Sequence, residues 1–353
     1  MTGLLPEVGG GNRNPLRGMI LAAGLGKRLR PLTLHCAKPA VPFLNRPLIE
    51  YSLDLFLKAG IQEIAVNLHY SRQSVVDVVE NYLRRGSPRR TARGFFSHEE
   101  KILGTAGALG RQRRFLSQGD FAVCNGKIYF EEDLGRVWNF HRRTGSMVTM
   151  VLVPRAAADP HNVVLTDEEG NVTGFAPKDQ IQDFGKGYTY TGLQILSPQV
   201  LRFIPDEPCD TVRHIYPRLL REGYPIRGFV SHGCWCESSL PSRYLENSMR
   251  MLRRRGVKNL LDSDLHGSLE NVIAGSKVQV GPGSRLRNVV LWDGARVGSN
   301  SSLHNVIITA DLEVPAETRA TDVVITRSLE GGVPGPVGKR SGKEQSCRLW
   351  PLI

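Results

Sequence analysis

The run MILAAGLGKRLRPLTLHCAKPAVP, residues 19–42, decides the fold. It opens with apolar residues, enough for one short buried strand, and breaks at Gly24. Gly24 and Gly26 allow backbone N–H groups to close on phosphate oxygens. Arg28 has the geometry for a bidentate grip on a phosphate, and Lys38 brings a second positive charge. A bland glycine turn has no need of Arg28, Arg30 and Lys38 on one short segment. Two generic motifs do not fit: Leu29 stands where the third glycine of a dinucleotide fingerprint would be, and there is no Gly-Lys-Ser/Thr ending.

Outward from this loop, strands and helices alternate. Pro47 starts a helix that stops before Gly60, and residues 63–68 read as the next strand. Ser71 is placed to cap a helix carrying Val75, Val79 and Tyr82. A strand near 94–97, a helix near 106–116 and a strand at 121–125 follow. Strands then dominate from 146 to 230, with a helix near 212–222. This rhythm predicts an α/β class: a mostly parallel, Rossmann-like sheet with helices on both faces. Ligands of such sheets bind beyond the carboxyl ends of the strands. The loop after Ala23, the turn after Leu68 and Asn125-Gly-Lys127 lie there.

The last third carries a repeat. Asn271, Asn288, Asn305 and Asp322 recur every 17 residues, each followed by two β-branched residues. Leu269, Leu286 and Leu303 keep the same step, as do Val280, Val297 and Val314. Three hexapeptides less one residue make such a turn, which predicts a short left-handed parallel β-helix. The expected layout is a flexible leader over 1–17, an α/β domain over 18–240, a linker helix over 241–258, the β-helix over 259–330 and a flexible tail over 331–353.

Net charge is +12, yet the basic runs at 84–93 and 253–258 lack interleaved aromatics, which argues for solvated loops over nucleic acid. No apolar run reaches the roughly 20 residues of a membrane span. The six cysteines form no C-x-x-C pair, so all are read as reduced thiols in a cytoplasmic protein.

The pattern G-x-G-x-R-L-x-P-L-T…K-P-x-V-P resembles the signature of sugar-1-phosphate nucleotidyltransferases. Further resemblance lies in Pro47-Leu-Ile-Glu-Tyr51, Val66-Asn-Leu-His69, Leu103-Gly-Thr-Ala-Gly107 and Thr191-Gly192. The likeness spans roughly residues 18–330 and is nearest the mannose-1-phosphate guanylyltransferase-like branch. It implies a sugar-1-phosphate oxygen attacking the α-phosphorus of a nucleoside triphosphate, with pyrophosphate leaving. It implies nucleotide contacts at Gly24, Gly26, Arg28, Gly104, Thr105, Gly107 and Asn125. Lys178, Thr191, Gly192 and Trp235 fall to the sugar-phosphate. Arg28 and Lys38 fall to catalysis. A homo- or hetero-oligomer built through the β-helix is also expected.

The resemblance further implies Mg²⁺ held by two aspartates. The matching positions here are Lys127 and Glu237. An ammonium about 4 Å from a divalent cation costs on the order of 8 kcal/mol at an effective dielectric of about 20. On the sugar side, His161-Asn-Val163 and Phe175-Ala-Pro-Lys-Asp179 also depart from the family pattern. Two readings stay open on the sequence alone. In one, the chain is an enzyme in which Lys127 acts as a fixed cation on the α-phosphate, with Glu131 or Asp133 supplying a displaced ligand. In the other it is a silent relative that binds a nucleotide or nucleotide-sugar and regulates an active partner.

Overall fold

The computed structural model describes residues 16–85, 92–155, 161–177, 187–327 and 347–353. The first strand, Arg17–Leu21, lies between Glu63–Leu68 and Phe121–Asn125, parallel to both. Arg93–His98 extends the parallel set beyond Glu63–Leu68. Gly187–Leu196 runs antiparallel to Phe121–Asn125 and continues the sheet to Val163–Thr166 and Val172–Ala176. Val148–Pro154 pairs with Gly187–Leu196 and, in parallel, with Ile226–Val230.

Alternation along the strands gives the sheet two apolar faces. Ile20, Ile64, Val66, Ala122 and Cys124 point to one side, against Leu53, Phe56, Val75, Val79 and Val137 of the helices Leu48–Lys58, Arg72–Arg84 and Leu134–Thr144. Met19, Ala65, Phe121 and Val123 point to the other, against Ala106, Leu109, Tyr216 and Leu219. Both faces being covered, the central strands carry hardly a polar residue. Asn67, 4% exposed near the end of Glu63–Leu68, is a buried polar residue in such a run, and it lines the cleft described below.

Several local expectations need correction. Ser71 stands at the N-cap of Arg72–Arg84 but adopts a left-handed φ of 45°, and its hydroxyl caps nothing; it donates instead to Ser74 Oγ at 3.3 Å. The helix expected over 106–116 is two, Gly104–Arg111 and Arg113–Leu116. Residues 16 and 17 belong to the sheet end rather than to a leader.

The repeat builds stacked parallel strands. Ser268–Ala274, Arg285–Leu291, Ser302–Ile308 and Arg319–Arg327 pair in register, Val272 on Val289 on Val306 on Val323. Gln279–Val280, Arg296–Val297 and Glu313–Val314 form a second parallel sheet. Each long strand bends at its asparagine or aspartate, where φ is 53–55°. The side chains there form a ladder: Asn271 donates to Asn288 at 2.9 Å, Asn288 to Asn305 at 2.9 Å, and Asn305 to Asp322 at 2.8 Å. The bend turns apolar residues from both arms inward, around Val289, Leu291, Val306 and Ile308.

The expected flexible tail is corrected at its end. Cys347–Pro351 pairs antiparallel with Arg319–Arg327, Ile325 opposite Leu349, and covers a strand edge that the last repeat leaves open. The helix Pro241–Arg254 is more than a linker. Tyr244, Leu245, Met251 and Leu252 pack on Phe43, Leu48 and Tyr129 of the α/β unit and on Ile273, Val290, Trp292 and Ile307 of the stack, in one apolar cluster.

Candidate functional site

A cavity of about 470 Å³ opens beyond the carboxyl ends of the parallel strands. Gly24, Gly26, Arg28, Lys38, Gly104, Thr105, Asn125 and Lys127 line it together. Eight sequence-picked residues thus converge from four segments.

The loop is held by its neighbours. Ala22 N donates to Asn67 Oδ1 at 2.7 Å, which pins the end of the first strand. Asn67 Nδ2 donates to Glu99 Oε1 at 2.9 Å, and Leu103 N donates to Glu99 Oε2 at 3.0 Å. The Glu99 carboxylate, 5% exposed, therefore ties the loop, the second strand and the Leu103–Gly104 turn into one wall. Thr33 Oγ1 donates to Gly26 O at 2.9 Å and closes the base of the glycine loop.

On the far wall, Gly104 has φ 76°, and a Cβ there would meet Cys209 O at 2.5 Å. This close approach brings Thr105 to Asp210, whose Oδ1 accepts from Thr105 Oγ1 at 3.2 Å. Gly192, with φ 87°, leaves room for the Asn125 amide, which a Cβ would meet at 2.3 Å.

At the Lys127 end of the cleft lies a cluster of charge. Lys127 Nζ donates to Glu237 Oε1 at 2.8 Å, and Lys38 Nζ donates to the same oxygen at 3.3 Å. His161 Nε2 stands 3.5 Å from Glu237 Oε2. Burial pushes the Glu237 carboxyl up, but Lys127, His161 and Lys38 overcome it and hold it well below the usual carboxylate range. Burial lowers Lys38 to about 8, against the pull of Glu237 and with help from Lys127 and Arg28.

This donor set does not suit Mg²⁺, which needs several oxygen ligands in near-octahedral array. Among the described residues, the one carboxylate in the cluster is engaged by two ammonium groups, and no group of three or more His, Cys, Asp or Glu side chains is placed to hold a metal ion. Glu131 and Asp133 do not supply displaced ligands. They line a different cavity of about 710 Å³, where Asp133 caps Leu134–Thr144 by accepting from Gly135 N at 2.9 Å and Glu131 accepts from Tyr129 and Arg254.

Other picked residues lie outside the cavity lining. Gly107 N donates to Cys209 O at 3.2 Å. Thr191 Oγ1 donates to Val151 O at 2.8 Å, inside the sheet. Trp235 Nε1 donates to Thr191 O at 2.9 Å, and its ring meets His161 edge-on at 5.3 Å. Lys178 falls outside the described residues. Sequence reasoning missed Glu99 and Asp210, and gave Asn67 no role. The one signal for Asn67 was a polar residue in an otherwise apolar strand.

The mostly parallel sheet thus carries a glycine- and cation-lined cleft at its carboxyl edge. The nucleotidyl transferase family model matches residues 17–254, and the chain belongs to that family. It is 28% identical over 278 residues to the mannose-1-phosphate guanylyltransferase catalytic subunit beta of Drosophila pseudoobscura pseudoobscura, covering 77% of this chain and 72% of that one. It is 29% identical over 259 residues to a UTP–glucose-1-phosphate uridylyltransferase of Synechocystis sp., covering 69% and 65%. In fold it is similar to HddC from Yersinia pseudotuberculosis complexed with GMP-PN, with a TM-score of 0.56, 21% identity, and coverage of 67% and 99%.

Proposed function

We propose that this chain binds a nucleoside triphosphate or nucleotide-sugar in the 470 Å³ cleft and that its nucleotidyl transfer is lost or strongly reduced. The observation that carries this reading is the Lys127–Glu237 contact of 2.8 Å, with Lys38 on the same oxygen. Where a transferase would gather a metal to neutralise the α-phosphate and the departing pyrophosphate, this chain has an ion pair closed on itself. Binding does not need the metal: Arg28, Lys38 and the N–H groups around Gly24 and Gly26 face the same cleft. Guanine nucleotides are the first to test, since relatives are named as guanylyltransferases and the HddC structure contains GMP-PN.

We read the 17-residue stack as a left-handed parallel β-helix offering an oligomer contact, through which a silent subunit in the cytoplasm would regulate an active homologue. Pyrophosphate release from Mg²⁺, each nucleoside triphosphate and mannose- or glucose-1-phosphate tests the central reading. We expect micromolar binding without turnover, and detectable turnover in the double variant Lys127→Asp, Glu237→Asp. Steady turnover by the unaltered protein that vanishes in Lys127→Ala overturns it.

A further inference from the structure

We infer that the cleft takes its ligand without a divalent cation, and that the ligand it fits is a nucleoside diphosphate-sugar rather than a nucleoside triphosphate. This rests on the reading that the cleft binds nucleotides. Three cations gather at the phosphate end: Lys127 and Lys38 on Glu237 Oε1, and Arg28 on the adjoining loop, close enough to act on Lys38. Among the described residues at this end one carboxylate, Glu237, answers one of them; the two carboxylates of the cleft lining, Glu99 and Asp210, stand on the opposite wall and accept from Asn67 and Leu103 and from Thr105. Two positive charges are left for the ligand, fixed to the chain.

The pyrophosphate of a nucleotide-sugar carries two negative charges, one on each phosphorus. It matches that surplus with nothing added. A free nucleoside triphosphate carries about four and leaves two unanswered in a half-enclosed site; in solution it sheds that excess by taking up Mg²⁺. Here the metal finds no place beside it. To reach Glu237 it would have to displace Lys127 at 2.8 Å and Lys38 at 3.3 Å, and it would then face both ammonium groups without the carboxylate between them. The side chain of Lys127 is 34% exposed while that of Glu237 is 9%, so the ammonium lies on the cleft side of the pair and the carboxylate behind it. What the cleft presents to phosphate is therefore a cation already held in position, a geometry that costs little ordering on binding.

Calorimetric titration in excess EDTA and in excess MgCl₂ tests this, with GDP-mannose, the nucleoside diphosphate-glucoses of adenine, cytosine, uracil and thymine, and the matching triphosphates as probes. For the nucleotide-sugar that binds, we expect dissociation constants within about twofold in the two buffers and tighter binding than its triphosphate in EDTA. Lys127→Gln, close in size, is expected to weaken binding in EDTA by about tenfold or more. Lys127→Asp is expected to make binding depend on Mg²⁺. Thermal midpoints of the unliganded variants check that each is folded, and Lys127→Arg restores the charge if Gln has disturbed packing. A gain of about tenfold or more from Mg²⁺ in the unaltered protein, or a triphosphate that outbinds its nucleotide-sugar in EDTA, overturns the inference and leaves nucleotide binding standing. Binding of no probe in either buffer overturns both.

Discussion

Lys38 is 7% exposed and faces a carboxylate at 3.3 Å, yet burial still brings it down from the usual 10.5 to about 8. The consequence has opposite signs for stability and for binding. Between those two values the unfolded chain holds the proton that the folded chain has released, so stability rises with pH across that window. An anionic ligand needs the ammonium, so affinity falls as pH rises through about 8. We expect the thermal midpoint of the free protein to rise through this range while nucleotide-sugar affinity declines, approaching about tenfold per pH unit. Titrations across the range check it. Lys38→Arg, which stays charged, is expected to flatten the affinity profile. A profile as steep in Lys38→Arg as in the unaltered chain would assign the titration to another group.

At the scale of elements, the repeat is stabilised by its corners as much as by its core. Asn288 donates to Asn305 and accepts from Asn271, with φ 53°. Asn288→Ala removes two side-chain hydrogen bonds, worth about 0.5–1.5 kcal/mol each, and sets a Cβ-bearing, non-amide residue in a left-handed conformation that costs a further 1–2 kcal/mol, roughly. Asn288→Gly loses the same bonds but not the conformation. Urea unfolding should therefore rank the unaltered chain above Gly and Gly above Ala, with Ala lower by about 2–5 kcal/mol. Equal losses for the two would mean that the bend is not strained. These corners were legible in the sequence because the Asn-Val step of 17 is periodic. So were the strand at 63–68 and the glycine loop, whose signals lie within a few residues. The bridge from Ala22 through Asn67 and Glu99 to Leu103 was not legible. Its bonds join residues 45 and 32 positions apart, and nothing local marks a glutamate as buried. Lys127 and Glu237 were legible as departures, but their pairing, across 110 residues, needed the fold.

Tyr244 is one of the side chains that join the two units of the molecule. Its ring, 1% exposed, packs on Phe43 at 6.1 Å between centroids, and its hydroxyl donates to Pro42 O while accepting from Trp292 Nε1 at 3.2 Å. One side chain thus joins the end of the Lys38-Pro-Ala-Val-Pro segment to the repeat stack. The shared cluster around Pro241–Arg254 implies that the two units unfold together in a single transition. Tyr244→Phe keeps the ring but strands the Pro42 carbonyl, at about 1–3 kcal/mol. Tyr244→Ala adds a cavity, and by analogy with other buried aromatic truncations costs about 3–5 kcal/mol. Calorimetry should show one peak for the unaltered protein and Tyr244→Phe, and two for Tyr244→Ala as the stack melts apart from the sheet. Because Pro42 sits four residues from Lys38, nucleotide-sugar affinity should fall in Tyr244→Ala as well, at a temperature where the α/β unit is still folded. A single peak with unchanged affinity in Tyr244→Ala would place the coupling between stack and cleft elsewhere along the helix, at Met251 or Leu252, which share the same cluster.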